Sequence, residues 1–213
     1  MTVQDVVDGI VDMIRNGNYL PGNPIREAEV CKLFGVSRTP VREAFRLLQD
    51  SGVVEYIPRC GVQVAAIKRE TLDNITETRM VLEVLSARQA AERITQEEIE
   101  ELRQINERFL VAPSDLKGGD LDKAFHMRIA EISGNDCIAK YLDNLLMRQS
   151  IFSSSFEEKP ARRRYSYAEH LGILQAMELH DPELAAKQTD IHFHMSQASL
   201  QNRLETYLEK HTK

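Results

Sequence analysis

His126 follows Asp122 by four residues in the stretch LDKAFHMRIAEISGN. On a helix that spacing puts a carboxylate and an imidazole on one face, a turn apart. His170 in YAEHLGILQAM and His192 in QTDIHFH come later in the chain. Together the four residues offer one oxygen and three nitrogen donors from three separate helices. Such a donor set suits Zn, Ni, Mn or Fe, with coordination positions left for water or a ligand oxygen. His194 is a poor substitute for His192, because two residues turn a helix by about 200°. Spacing alone leaves a second reading open, since six histidines in 213 residues are unremarkable and an Asp/His pair one turn apart is commonly a surface ion pair.

A second pattern lies near the N-terminus, where GVSRTPVREAFRLL spaces Arg38, Arg42 and Arg46 four residues apart. Such positions drift by only about 40° per step around a helix, so the three form one basic stripe. Val41, Ala44, Phe45 and Leu48 take the opposite, apolar face. A stripe of this kind can read nucleic acid, or it can keep a surface helix soluble by pairing with Glu43 or Asp50.

The elements around the stripe decide between these readings. Val3, Val6, Val7, Ile10, Val11 and Ile14 recur at helical spacing and stop at Gly17. YLPGNPI reads as a turn, and a short helix is expected over about 26–34, ended by Gly35. A third helix over about 38–50 has Ser37 at its cap position and Pro40 in its first turn. VVEYI and VQVAAI, joined by PRCG, form a small hairpin. Helix, turn, short helix, turn, arginine-bearing helix and hairpin make a winged helix-turn-helix. In that arrangement the third helix enters the DNA major groove N-terminus first, where Ser37, Arg38, Thr39 and Arg42 sit.

From Lys68 onward the pattern is almost entirely helical. Helices are expected over 69–94, over TQEEIEELRQINERFL with a Thr95 to Glu98 capping box, and over about 118–133, 135–151, 161–179 and 182–208. Pro113 with Ser114, Gly134 with Asn135, SSSFEEKP and HDP supply the breaks. The fold class is therefore mainly α: a winged helix-turn-helix domain over 1–68, then an all-α antiparallel helical bundle over 69–213.

Composition agrees with that division. The net charge is -6, yet residues 1–69 carry nine Lys and Arg against eight Asp and Glu, while residues 70–213 carry 18 against 25. The two parts therefore face different partners. No apolar run approaches the roughly 18 residues of a membrane span, and Asp5, Asp8 and Asp12 stand where a signal peptide would be basic and then apolar. A cytoplasmic protein is expected. Cys31, Cys60 and Cys137 suggest neither a disulfide framework nor a zinc ribbon, and read as packing residues.

PGNPIREAEVCKLFGVSRTPVREAFRLLQDSGVVEYIPRCGVQV resembles the N-terminal domain of the GntR family of bacterial transcription regulators, and residues 69–213 resemble the FCD effector domain of its FadR subfamily. The resemblance implies DNA contacts by Arg38, Thr39 and Arg42, and a wing tip at Gly61 near the minor groove; Arg46 continues the stripe. Some relatives carry a further DNA-reading arginine where this chain has Ala28, so their operator sequences do not transfer. In the FCD part the resemblance supports a metal site of Asp122, His126, His170 and His192, the last two 22 residues apart. It also implies effector contacts by Arg79 and Asn135, with Arg148 a looser candidate. Arg79 has an alternative, an intrahelical pair with Glu83.

These readings lead to a homodimeric regulator, dimeric even without residues 1–68, that binds a palindromic operator and responds to a small carboxylate held at the metal. Two alternatives are a sensor for which the ion itself is the signal, and a metallohydrolase. Against hydrolysis, no general base distinct from the ligands is evident nearby.

Overall fold

The computed structural model describes residues 1–66, 68–112, 116–154 and 160–211. By contact the chain divides into two units, Met1–Leu72 with Met147–Ser155, and Asp73–Leu146 with Phe156–Lys213.

In the first unit, α1 (Val3–Arg15) opens with a capping box that the sequence reading had not found. Asp5 N–H donates to Thr2 Oγ1 at 3.2 Å, and Thr2 N–H to Asp5 Oδ2 at 2.6 Å. The helix buries Val6, Val7, Ile10, Val11 and Ile14 and packs on α3 (Arg38–Asp50), which buries Val41, Ala44, Phe45 and Leu48. Between them α2 (Glu27–Phe34) ends at Gly35, whose φ of 65° is the left-handed conformation that glycine adopts without steric cost. Gly9 serves a different need, because a Cβ there would fall 2.6 Å from the Phe34 ring. Ser37 has the extended backbone of an N-cap, but its side chain makes no capping hydrogen bond.

The hairpin pairs β1 (Val54–Ile57) with β2 (Gly61–Val64) in antiparallel register, Val54 opposite Val64 and Ile57 opposite Gly61. The YLPGNPI segment does more than turn. Ile25 N–H donates to Val62 O at 2.8 Å and Val64 N–H to Asn23 O at 2.9 Å, so Pro24 bridges to Gln63 as a third edge. Proline's missing donor costs nothing there, because its neighbours make the ladder bonds.

The second unit is helical: α4 (Arg69–Ala91), whose first turn belongs to the first unit, α5 (Gln96–Val111), α6 (Leu116–Ile132), α7 (Asp136–Ser154), whose last turns also belong to the first unit, α8 (Pro160–Glu178) and α9 (Pro182–His211). Ala87, Ala90, Ala91, Ala176 and Ala185 let the helices approach closely, and Ile94, Ile99, Leu102, Phe125, Ile129, Ile173, Leu174 and Met177 fill the core between them. Helix ends fall within a few residues of those expected. The breaks expected at Pro113 and Ser114, and over residues 155–159, lie outside the described residues, as does Ile67 at the end of VQVAAI. The cysteines do not pack as expected: Cys60 and Cys137 are exposed and Cys31 is half-buried.

The Thr95 capping box is formed in full, with Glu98 N–H donating to Thr95 Oγ1 at 3.3 Å and Thr95 N–H to Glu98 Oε2 at 3.1 Å. Thr95→Ala leaves orphan donors at the start of α5. It should cost about 1 kcal/mol of stability, read as a lower urea midpoint with an unchanged m-value.

Candidate functional site

Helix α6 carries Asp122 and His126, α8 carries His170 and α9 carries His192. The three imidazoles meet in the interior of the second unit, all buried, with one ring nitrogen from each within 4.8 Å of the others. Their ring centroids are 5.1 Å apart for His126 with His170, 5.1 Å for His126 with His192 and 4.8 Å for His170 with His192. Aromatic rings fix their planes. Phe125 stacks on His170 at 4.2 Å, and Phe193 meets His192 edge to face at 5.9 Å. Asp122 is half-exposed, with Oδ1 3.7 Å from His170 Nε2. His194 points away from the cluster toward Asp190 and is exposed.

Each ring turns Nδ1 outward to an acceptor. His192 Nδ1 lies 2.8 Å from Glu169 Oε2 and His170 Nδ1 lies 2.9 Å from Asn106 Oδ1. His126 Nδ1 sits 2.7 Å from Glu83 Oε2, a separation at which one of the two atoms must carry a proton, although the approach is bent. Arginines hold both carboxylates. Arg79 donates from Nε and Nη2 to Glu83 Oε1 at 2.9 and 2.7 Å, and Arg162 donates from Nη1 and Nη2 to the two oxygens of Glu169, each at 2.6 Å. Asn106 Nδ2 donates to Tyr167 O at 3.1 Å, which leaves its carbonyl oxygen for His170. With Nδ1 engaged, the Nε2 atoms of His126 and His170 are buried with no hydrogen-bond partner. Buried unpartnered nitrogens are costly, and the Nδ1-held imidazole with a free Nε2 is the usual state of a metal ligand. The three imidazoles therefore have the donor set and convergence of a divalent-ion site, with Asp122 beside the triad and not within it.

Electrostatics follow from the same contacts. Burial would raise the Glu83 carboxyl, but Arg79 and His126 hold it down to about 2. Burial would likewise raise Glu169, and His192 with Arg162 bring it to about 2. Burial alone would lower His126; the Glu83 charge and hydrogen bond outweigh it and raise the imidazole above its ordinary value. His170, buried and facing the other two rings with no carboxylate on Nδ1, is pushed well below.

The structure does not bring the three expected effector contacts into the cluster. Arg79 is buried in its pair with Glu83, one turn along α4, with its guanidinium over Phe193 at 5.2 Å. Asn135 Oδ1 accepts from Ile138 N–H at 3.3 Å and caps α7. Arg148 falls in Met147–Ser155, the part of α7 that groups with the first unit. The sequence reading missed Glu169, Asn106 and Arg162, and saw Glu83 only as a partner for Arg79. Glu169 directly precedes His170 in the sequence, yet it serves His192. No spacing rule predicts a pairing across helices.

In the first unit Ser37, Arg38, Thr39, Arg42 and Arg46 all face solvent on the N-terminal half and stripe of α3. Arg42 Nε donates to Glu27 Oε2 at 2.8 Å, and Arg38 Nε lies 3.5 Å from Glu27 Oε1. Their partner is thus Glu27 of α2, not Glu43 or Asp50. Gly61 opens β2 directly after the hairpin turn, opposite Ile57, with φ 91°, and Arg59 within the turn has φ 70°.

Two family models match this chain: the bacterial regulatory proteins of the gntR family over residues 2–64, and the FCD domain over residues 74–195. The HTH-type transcriptional regulator YdhC of Bacillus subtilis is 31% identical over 138 residues, 63% of this chain and 60% of that protein. The HTH-type transcriptional repressor RspR of Escherichia coli is 35% identical over 120 residues, 55% of this chain and 52% of that one. The match therefore spans less than two thirds of either relative. The Nta operon transcriptional regulator of Aminobacter aminovorans is 30% identical, covering 73% of this chain and 74% of that protein. Among solved structures, E. coli McbR/YncC superposes with a TM-score of 0.81 over 95% of this chain and 98% of that one at 20% identity, a likeness of fold.

Proposed function

We propose that this chain, which belongs to the gntR family of bacterial regulatory proteins and carries an FCD domain, regulates transcription by binding operator DNA through α3 and responding to a small carboxylate at a divalent metal site. The observation that carries the metal reading is the convergence of three buried imidazoles, each with an acceptor at Nδ1, and with Nε2 of His126 and His170 buried without a hydrogen-bond partner. A divalent ion held there supplies a Lewis-acidic position for a carboxylate or hydroxyl oxygen. The protein's own residues do the rest. Asp122 adds an anionic donor at the half-exposed side, and Phe125, Phe109 and Phe193 exclude water from the rings. Because Arg79 is given over to Glu83, recognition of the acid's charge falls chiefly on the ion.

Elemental analysis of the purified full chain, followed by operator titrations with and without chelator and a panel of hydroxy and sugar acids, tests the proposal. A bound ion should also raise stability by about 2.7 kcal/mol at a free concentration of 100 Kd. An acid response that survives complete metal removal would overturn the sensing mechanism.

The regulator acts as a homodimer in this reading. Helix α4 exposes Val81 (62%) and Leu85 (37%) one turn apart, and α7 exposes Tyr141 (62%). A second copy would cover such a face. Light scattering should give a dimer, and the double substitution Val81→Glu with Leu85→Glu should shift it toward monomer at micromolar concentration. A monomeric wild type contradicts this.

A further inference from the structure

We infer that Glu83 and Glu169 are positioning residues with unequal roles, because Arg79 dictates which tautomer His126 can adopt while Arg162 leaves His192 unconstrained by the same substitution. The inference rests on the metal reading above and concerns residues behind the ligands.

The asymmetry lies in which carboxylate oxygen each arginine occupies. Both Arg79 donors, Nε and Nη2, converge on Glu83 Oε1, so that position must hold an acceptor. The other oxygen, Oε2, faces His126 Nδ1 at 2.7 Å. In Glu83→Gln the amide oxygen must stay with Arg79, and the NH2 group then faces His126. An NH2 group only donates, so Nδ1 must become the acceptor and the imidazole proton must move to Nε2. That nitrogen can then no longer ligate an ion.

Glu169 is arranged otherwise. Its Oε2 accepts from both His192 Nδ1, at 2.8 Å, and Arg162 Nη2, at 2.6 Å, while among the described residues Oε1 accepts from Arg162 Nη1 alone. In Glu169→Gln the amide oxygen is better placed at Oε2, where it keeps two hydrogen bonds and gives up one. His192 retains its Nδ1 proton. The third ligand needs no carboxylate, because Tyr167 O fixes the Asn106 amide and so presents its carbonyl to His170 Nδ1.

Tautomers are read directly by nitrogen-15 NMR of the imidazoles in metal-free full-length protein, in alkaline buffer where the rings are neutral. Affinity is read by Zn(II) titration against a chelating dye. In the wild type all three histidines should carry the proton on Nδ1. In Glu83→Gln, His126 should move its proton to Nε2 and Zn(II) affinity should fall by about 100-fold; in Glu169→Gln the tautomer should persist and the loss should be about 10-fold or less. The double variant Arg79→Met with Glu83→Gln frees the amide to turn its oxygen toward His126. It should restore the Nδ1 proton and recover most of the affinity, a rescue that a purely structural role for Glu83 would not produce. A proton on Nε2 of His126 in the wild type, equal losses in the two Gln variants, or a double variant weaker than Glu83→Gln alone would each overturn the inference. Wild-type tautomers as expected in a protein that binds no Zn(II) would instead sink the metal reading and leave the positioning geometry standing.

Discussion

His126→Ala should yield a folded protein that holds no divalent ion at concentrations saturating the wild type, and whose operator binding no longer responds to carboxylates. The effect is expected to exceed the 10- to 100-fold that loss of a partner behind a ligand typically costs, because the substitution removes a donor outright. It also strands Glu83: Oε2 loses the His126 contact, and Arg79 on Oε1 is the ionic partner that remains among the described residues. Some stability should be lost with it, since a buried carboxylate loses one of the two groups that hold it near 2. Unliganded operator affinity should stay near the wild-type value, because α3 belongs to the other unit. Metal content, thermal midpoint and operator titrations with and without acid separate these outcomes. Any coupling of about 1 to 3 kcal/mol between acid and DNA that persists in this variant would show that the ion plays no part in the switch.

How far the sequence could carry such an argument depended on the range of the interactions involved. Helix α3 was legible because its apolar residues, its stripe and its end at Asp50 are all set by local periodicity, and the burial of Val41, Ala44, Phe45 and Leu48 follows from it. The three converging imidazoles could be picked out as candidate donors, with Asp122 proposed as a fourth, because Asp122 and His126 share a helix face and because the resemblance supported His170 and His192. The residues behind them could not. Glu169 serves the histidine on the next helix and not its neighbour His170, and Asn106 reaches His170 across 64 positions. Those pairings depend on the rotation of α5, α8 and α9 about their axes, which no single-helix pattern contains. Arg79 shows the same limit from the other side. Its i,i+4 pair with Glu83 was visible, but that Glu83 turns its second oxygen to His126 was not, and that contact ties Arg79 through Glu83 to the histidine cluster.

At the other end of the chain, Arg38→Ala and Arg42→Ala should each weaken operator binding by about 1 to 3 kcal/mol if the arginine reads a base, and the manner of weakening should tell base from phosphate. Both guanidiniums are solvent-exposed, and both lean on one carboxylate, Glu27, which holds them at the N-terminal end of α3 before DNA arrives. Glu27 therefore has two opposed effects. It pre-orients the arginines, which limits the side-chain entropy lost on binding, and it places a negative charge where phosphates must approach. Glu27→Gln should raise affinity for unrelated DNA and steepen its salt dependence, while narrowing the ratio between operator and non-operator binding. Loss of a phosphate contact at Arg38 or Arg42 should lower the salt slope by about one and weaken all sequences alike. Loss of a base contact should instead relax preference at one position in each half-site of a palindrome, since two-fold protein symmetry is mirrored in the site. Selection of the preferred site from a random duplex pool, followed by anisotropy titrations at several salt concentrations, distinguishes these cases. If neither alanine variant changes affinity, slope or preference while α3 remains folded, the arginine stripe is a solvated surface and the DNA-reading face lies elsewhere.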